Sequence, residues 1–282
     1  MSAQIFDDRV CELGEGPMWH PQRGQFFWFD ILNRRLLSRD ETGARDWRFD
    51  RMASAAGWVD RDRMLIGTET GLALLHLADG ALLPVAGIEA DDGSTRSNDG
   101  RADRQGGFWI GTMGKGAEPE KGAIYRFYRG EVRRLVPGVT IPNAICFSAD
   151  GQLAYYADTH RQVVWRQPLD GDGWPMGEPQ VFLDLGPAGL NPDGAVIDAE
   201  GAFCVACWGE GKVIRFAPDG TRLDDYAVAG RHSSCPAFGG ADMRDLLVTT
   251  AQEGIDAPDQ AQGLTYLTRA TVPGLPEARV IL

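Results

Sequence analysis

Apolar residues in this chain come in short runs broken by polar clusters that usually contain Gly or Asp. "GPMWHPQRGQFFWFD" starts at Gly16, "AGWVDRDRMLIGTETG" at Ala56 and "NDGRADRQGGFWIGTMG" at Asn98. "IPNAICFSADGQLAYYADT" starts at Ile141, "PDGAVIDAEGAFCVACWGEG" at Pro192 and "CPAFGGADMRDLLVTTA" at Cys235. Each reads as a strand, a tight polar turn and a second strand rich in aromatic or β-branched residues. A third alternating segment follows each hairpin, as in "RRLLSRDETG", "LALLHLADGA", "GAIYRFYRGE", "QVVWRQPLDGDG", "KVIRFAPDGT" and "GLTYLTRA". The unit recurs at a spacing of roughly 40 to 50 residues, which suits four-stranded propeller blades. No sustained 3.6-residue period competes with it. The expected architecture is all-β: a six-bladed β-propeller of four-stranded blades occupying residues 1–282 as one domain. A sandwich needs no such regular period, and a solenoid would call for capping repeats.

Composition narrows the partners. The 282 residues are 43% hydrophobic and 24% charged, so material for a core is ample. The net charge of −12 argues against a nucleic-acid partner, which would need clustered Lys and Arg, and favours cation binding. The first residues carry no basic region followed by an apolar run, and no apolar stretch is long enough for a bilayer span. A cytoplasmic monomer with no membrane partner is expected. Five cysteines, Cys11, Cys146, Cys204, Cys207 and Cys235, are scattered and odd in number, which argues against a disulfide framework. Cys204 and Cys207 form a C-x-x-C inside a strand-like run, where residues three apart face opposite ways, so both read as reduced core residues.

The repeat also raises a question of chemistry. Equivalent starts of the innermost strands form a ring at one end of a propeller channel. Alignment of the six units places Glu15, Ala55, Asn98, Asn143, Asp193 and Cys235 on that ring. Four of the six carry polar oxygen-bearing side chains. Asn and Asp often serve as turn formers at such positions. Two carboxylates and an amide converging on one point also suit a hard divalent cation, with Glu15, Asn143 and Asp193 as ligands and open positions left over.

"LGEGPMWHP", "RSNDGRADRQGGFWIGTMG", "IPNAICFSADGQLAYYADT", "NPDGAVIDAEGAFCVACWGEGKVIRF" and "SSCPAFGG" closely resemble the gluconolactonase family, also called the senescence marker protein or regucalcin family. The resemblance runs over essentially the whole chain. It implies a six-bladed propeller with one divalent metal at the channel mouth, held by Glu15, Asn143 and Asp193. It places Arg96 and Asn98 on the pair that contacts the substrate. It implies hydrolysis of an aldonolactone such as a glucono-, xylono-, arabinono- or galactonolactone, within sugar oxidation, and a metal drawn from calcium, zinc, manganese, magnesium and ferrous iron.

Lactone opening needs a nucleophilic water, a polarised carbonyl and a proton for the leaving alkoxide. A bound metal activates the water and the carbonyl. By the resemblance Asp193 doubles as ligand and general base. Arg96 offers a planar fork of donors, and Asn98 can both donate and accept. The four histidines show no ligand spacing and no G-x-S-x-G occurs, which leaves a Ser-His-Asp esterase without support. His232 lies near the sixth ring position, and "GKGAEPEKGA" reads as a loop over the pocket or a plain surface hairpin. The competing readings are a calcium-binding regulatory propeller and an organophosphate hydrolase on the same site.

Overall fold

The computed structural model describes residues 3–282 and contains six four-stranded sheets, each antiparallel throughout. Blade 1 runs Gly14–His20, Gln25–Asp30, Arg35–Asp40 and Gly43–Arg48, and the next four blades repeat this up-and-down order. Their innermost strands are Ala53–Asp60, Thr95–Ala102, Pro142–Phe147 and Asn191–Ile197. Blade 6 is composite. It takes His232–Gly239, Asp245–Ala251 and Thr265–Arg269 from the end of the chain and its outer strand, Gln4–Asp7, from the start. The expected six-bladed propeller is therefore the architecture found. Helix among the described residues is confined to two three-residue 3-10 turns. No described helix is long and apolar enough to cross a membrane.

The alternating pattern explains why the sheets pack face to face. The inner strands carry apolar side chains on both faces and bury them against the neighbouring blades, whereas outermost strands such as Gly43–Arg48 and Arg222–Ala227 are largely exposed. Six apolar clusters result, one per blade interface. One joins Phe27, Phe29 and Leu36 of blade 1 to Met64, Ile66 and Leu75 of blade 2. The C-x-x-C shows the same logic: Cys204 belongs to the cluster between blades 5 and 6, and Cys207 to the one between blades 4 and 5. Both are free thiols on opposite faces of one strand, as the strand period requires.

Hairpin turns are fixed by local acceptors. At Asp150-Gly151 the Asp150 carboxylate accepts from the Ser148 hydroxyl (2.6 Å) and the Gln152 amide (3.0 Å). Gly151 adopts φ +70, a left-handed backbone that favours glycine. In blades 3 and 5 the turn aspartate also takes an arginine from its own sheet. Asp103–Arg126 and Asp198–Arg215 are both 2.6 Å ion pairs between buried side chains.

Every innermost strand carries a register break near the same level. Such bulges bend a strand and re-aim its side chains. The first pairs beyond the break are made by Met18, Ala55, Gly100, Cys146, Ala195 and Cys235. In blades 2 and 6 the two pairs that flank the break lie two residues apart on the innermost strand, against three in the other blades.

The far end of the channel is closed by the C-terminal segment. Leu275–Ala278 pack against Arg101, Cys146, Val196 and Phe238. Trp58 Nε1 donates to the Glu277 carbonyl (3.0 Å), Arg104 donates to that of Pro276 (2.6 Å), and Glu277 ion-pairs Arg101.

Candidate active site at the channel mouth

The open end of the channel holds a cavity of about 410 Å³. Glu15 from blade 1, Arg96 and Asn98 from blade 3, Asn143 from blade 4 and Asp193 from blade 5 all line it. All five predicted site residues are thus brought to one place, and each is buried.

A chain of hydrogen bonds runs round the rim. Arg96 Nη1 donates to Asn98 Oδ1 (2.7 Å) and to its neighbour's carbonyl, Ser97 O (2.9 Å). Asn98 Nδ2 donates to Asn143 Oδ1 and to Pro142 O, both at 3.0 Å. Asn143 Nδ2 donates to Thr159 Oγ1 (2.8 Å), whose hydroxyl donates to Pro192 O (2.6 Å). Donation to Thr159 fixes the Asn143 amide with its oxygen toward Asn98. A carbonyl oxygen has two lone pairs, so one remains for a ligand. Ala144, next in chain, holds φ +57. That costly backbone for a non-glycine residue is braced from the following amide, Ile145 N, which donates to Asp99 Oδ2 (2.7 Å).

The carboxylates are unusual. Glu15 accepts a bond from the Gly16 amide (3.0 Å), but neither it nor Asp193 is bonded to a Lys or Arg among the described residues. Burial pushes both carboxyls above the usual range; the charge of Asp99 adds to the rise in each, and that of Glu15 to the rise in Asp193. Asp99 itself is pushed up to about 6 by burial, with Arg101 opposing. Buried acids without a counter-charge are costly. A hard cation between them would remove that cost, and two carboxylates with an amide oxygen are a donor set such a cation accepts. No cluster of three or more His, Cys, Asp and Glu with metal-holding geometry exists among the described residues, so an amide must be counted to reach three donors.

Other residues shape the cavity. Lys115, Gly116 and Ala117 line it, so part of the segment read as a loop over the pocket does border it. Lys115 is held to Glu69 of blade 2 at 2.5 Å. His232 stands behind the wall: its ring stacks on cavity-lining Trp208 at 4.2 Å, and its Nδ1 bonds the Glu253 carbonyl at 3.1 Å. Cys235 is fully buried and packs against Gly194, beneath Asp193, without lining the cavity. Thr159, Asp99, Trp208 and Glu253 were not found from the sequence. Asp99 follows Asn98 directly and Thr159 ends the quoted stretch at Ile141, so both lay within motifs already singled out. Trp208, the last residue of the strand Phe203–Trp208, lay within such a motif too, whereas Glu253 follows its strand in a loop and carries no periodic signal.

Residues 13–252 match the model of the SMP-30/gluconolactonase/LRE-like region. The chain belongs to that family. The crystal structure of regucalcin from Agrobacterium tumefaciens str. C58, described as a calcium-binding protein, superposes with a TM-score of 0.97 at 38% identity, covering 100% of this chain and 98% of that one. The 6-deoxy-6-sulfogluconolactonase of Pseudomonas putida is 32% identical over 94% of both chains. The L-arabinolactonase of Azospirillum brasilense is 32% identical over 98% of this chain and 95% of its own.

Proposed function

We propose that the protein opens the ring ester of a sugar acid lactone to the free aldonic acid, using one divalent cation held by Glu15, Asn143 and Asp193. The observation that carries this reading is the meeting, in one cavity, of residues from four blades around two buried carboxylates that lack a cationic partner among the described residues. The lactonase names of the two enzyme relatives support the substrate class. When bound, the cation supplies Lewis-acid polarisation of the carbonyl and lowers the pKa of an attacking water. Calcium leads among calcium, zinc, manganese, magnesium and ferrous iron because the regucalcin relative is described as calcium-binding.

The chain's own residues then have distinct tasks. Asp193 takes a proton from the attacking water. Arg96 directs its remaining N–H groups at hydroxyl or ring oxygens of the sugar. Asn98 bridges Arg96 to Asn143, so substrate binding and cation binding share one rigid network. Trp208 gives the cavity an apolar wall for the sugar's C–H face.

The description of the regucalcin relative also favours a second reading, a calcium-binding regulatory propeller without turnover. Initial rates on a panel of pentono- and hexonolactones, beside a phosphotriester and with or without chelator, separate the readings. Chelator-sensitive lactone hydrolysis exceeding phosphotriester hydrolysis is expected. No chelator-sensitive turnover of any lactone would leave the regulatory reading standing.

A further inference from the structure

Ring opening needs a proton donor as well as a nucleophile. As the bond between carbonyl carbon and ring oxygen breaks, its electron pair stays on the ring oxygen, an alkoxide that needs a proton. With Glu15 on the cation and Asp193 engaged with the attacking water, a donor separate from both lets water attack and leaving-group protonation run on different side chains. A guanidinium such as Arg96 does not release its proton. Lys115 is held by Glu69 at 2.5 Å. One titratable side chain of the cavity remains: Glu253.

Its placement is specific. Glu253 follows the strand Asp245–Ala251 of blade 6, directly across a six-blade ring from blade 3, which carries Arg96. Its backbone is pinned at both ends. The Glu253 amide donates to Glu12 O (3.0 Å), and the Glu253 carbonyl bonds the His232 ring (3.1 Å). The His232 ring is in turn stacked on Trp208. The carboxyl takes no hydrogen bond from any described protein group and is half-buried on the cavity wall. A rigid backbone presenting an unbonded carboxyl to a substrate cavity is an arrangement suited to proton transfer rather than to structure.

We propose that Glu253 is the general acid of lactone opening, an inference that rests on the lactonase reading. Water oxygen bonds to the carbonyl carbon as Asp193 takes its proton. The carbon–ring oxygen bond then breaks, and the ring oxygen takes the Glu253 proton to become the product's hydroxyl. The aldonic acid leaves as its carboxylate, Asp193 releases its proton to water, and Glu253 is reprotonated through the open mouth. Burial raises the Glu253 carboxyl above its usual range, with the charge of Arg96 opposing and that of Glu12 adding, which favours a protonated donor.

The test varies the leaving group. With the metal-loaded enzyme, Glu253→Gln should lower kcat on the best aldonolactone about 100-fold, a typical general-acid contribution. Metal affinity should not change. On dihydrocoumarin, whose phenolate leaves without help, the loss should stay within about threefold. Equal losses on both substrates, or no loss on the aldonolactone, would overturn the role of Glu253. Where dihydrocoumarin is not turned over, Glu253→Ala decides: added formate should restore part of kcat, and no restoration removes the proposal. A wild type with no chelator-sensitive lactone hydrolysis refutes the lactonase reading itself, whereas an active wild type beside an undiminished Glu253→Gln refutes only the acid.

Discussion

At the channel mouth, Glu15 and Asp193 lie buried with no cationic side chain among the described residues bonded to either. At the base, Arg101 of blade 3 is also buried, but the chain's own C-terminal segment delivers Glu277 to it, and both side chains are only 11% exposed. The same innermost strands pass through both ends. At the base the charge is balanced from within and the channel is shut by Leu275–Ala278. At the mouth it is left for something arriving from solvent, and a cavity of about 410 Å³ stands over it. A buried charge that the fold neutralises itself reads as structure. One that it leaves without a partner reads as a site.

The contrast can be broken at either end. The largest effect is expected at the mouth. Asp193→Asn or Glu15→Gln should cut lactone turnover at least about 10³-fold, some 4 kcal/mol in the barrier, while far-ultraviolet dichroism stays unchanged. An Asp193→Asn protein that still binds the cation and keeps full turnover would remove Asp193 as the base. At the base, Glu277→Gln should cost about 3 kcal/mol of stability by stranding Arg101, read as a lower urea midpoint. Its turnover per folded molecule should match the wild type; a matching loss of activity would mean that the two ends are not separable. Asn143→Ala should weaken cation affinity by about 10- to 100-fold, measured by titration calorimetry. Unchanged affinity would return Asn143 to being a turn former. Smallest is Thr159→Val, which removes one orienting hydrogen bond and should cost about 1 kcal/mol, or roughly fivefold in cation affinity. A larger loss than for Asn143→Ala would reverse the proposed order of ligand and support.

Much of the fold was legible because period and turns are local. Each blade repeats strand, turn and strand within a few dozen residues, and the six repeats give the propeller directly. The closing strand Gln4–Asp7 was not legible, since four residues carry little pattern and their partner, Thr265–Arg269, lies at the other end of the chain. The plug was missed for a similar reason: Leu275–Ala278 form no strand, and only the folded channel gives Glu277 its partner. At the site, Glu15, Asn98, Asn143 and Asp193 could be found because the repeat puts them at one level. The bracing of Ala144 by Asp99 depends on which way a bulge turns its side chains, a property of the folded ring rather than of spacing. Lys115 and Glu253 reach the cavity from loops, whose course the strand period does not set.

One cation, held at the mouth by two carboxylates and an amide, is expected to govern turnover. Titration of calcium into chelator-stripped protein, with aldonolactone hydrolysis measured at each point, tests it most directly. A single site per chain is expected, with activity rising in step with its occupancy, and the loss of both in Glu15→Gln. Full hydrolysis by the stripped protein, or undiminished cation binding in Glu15→Gln, would contradict it.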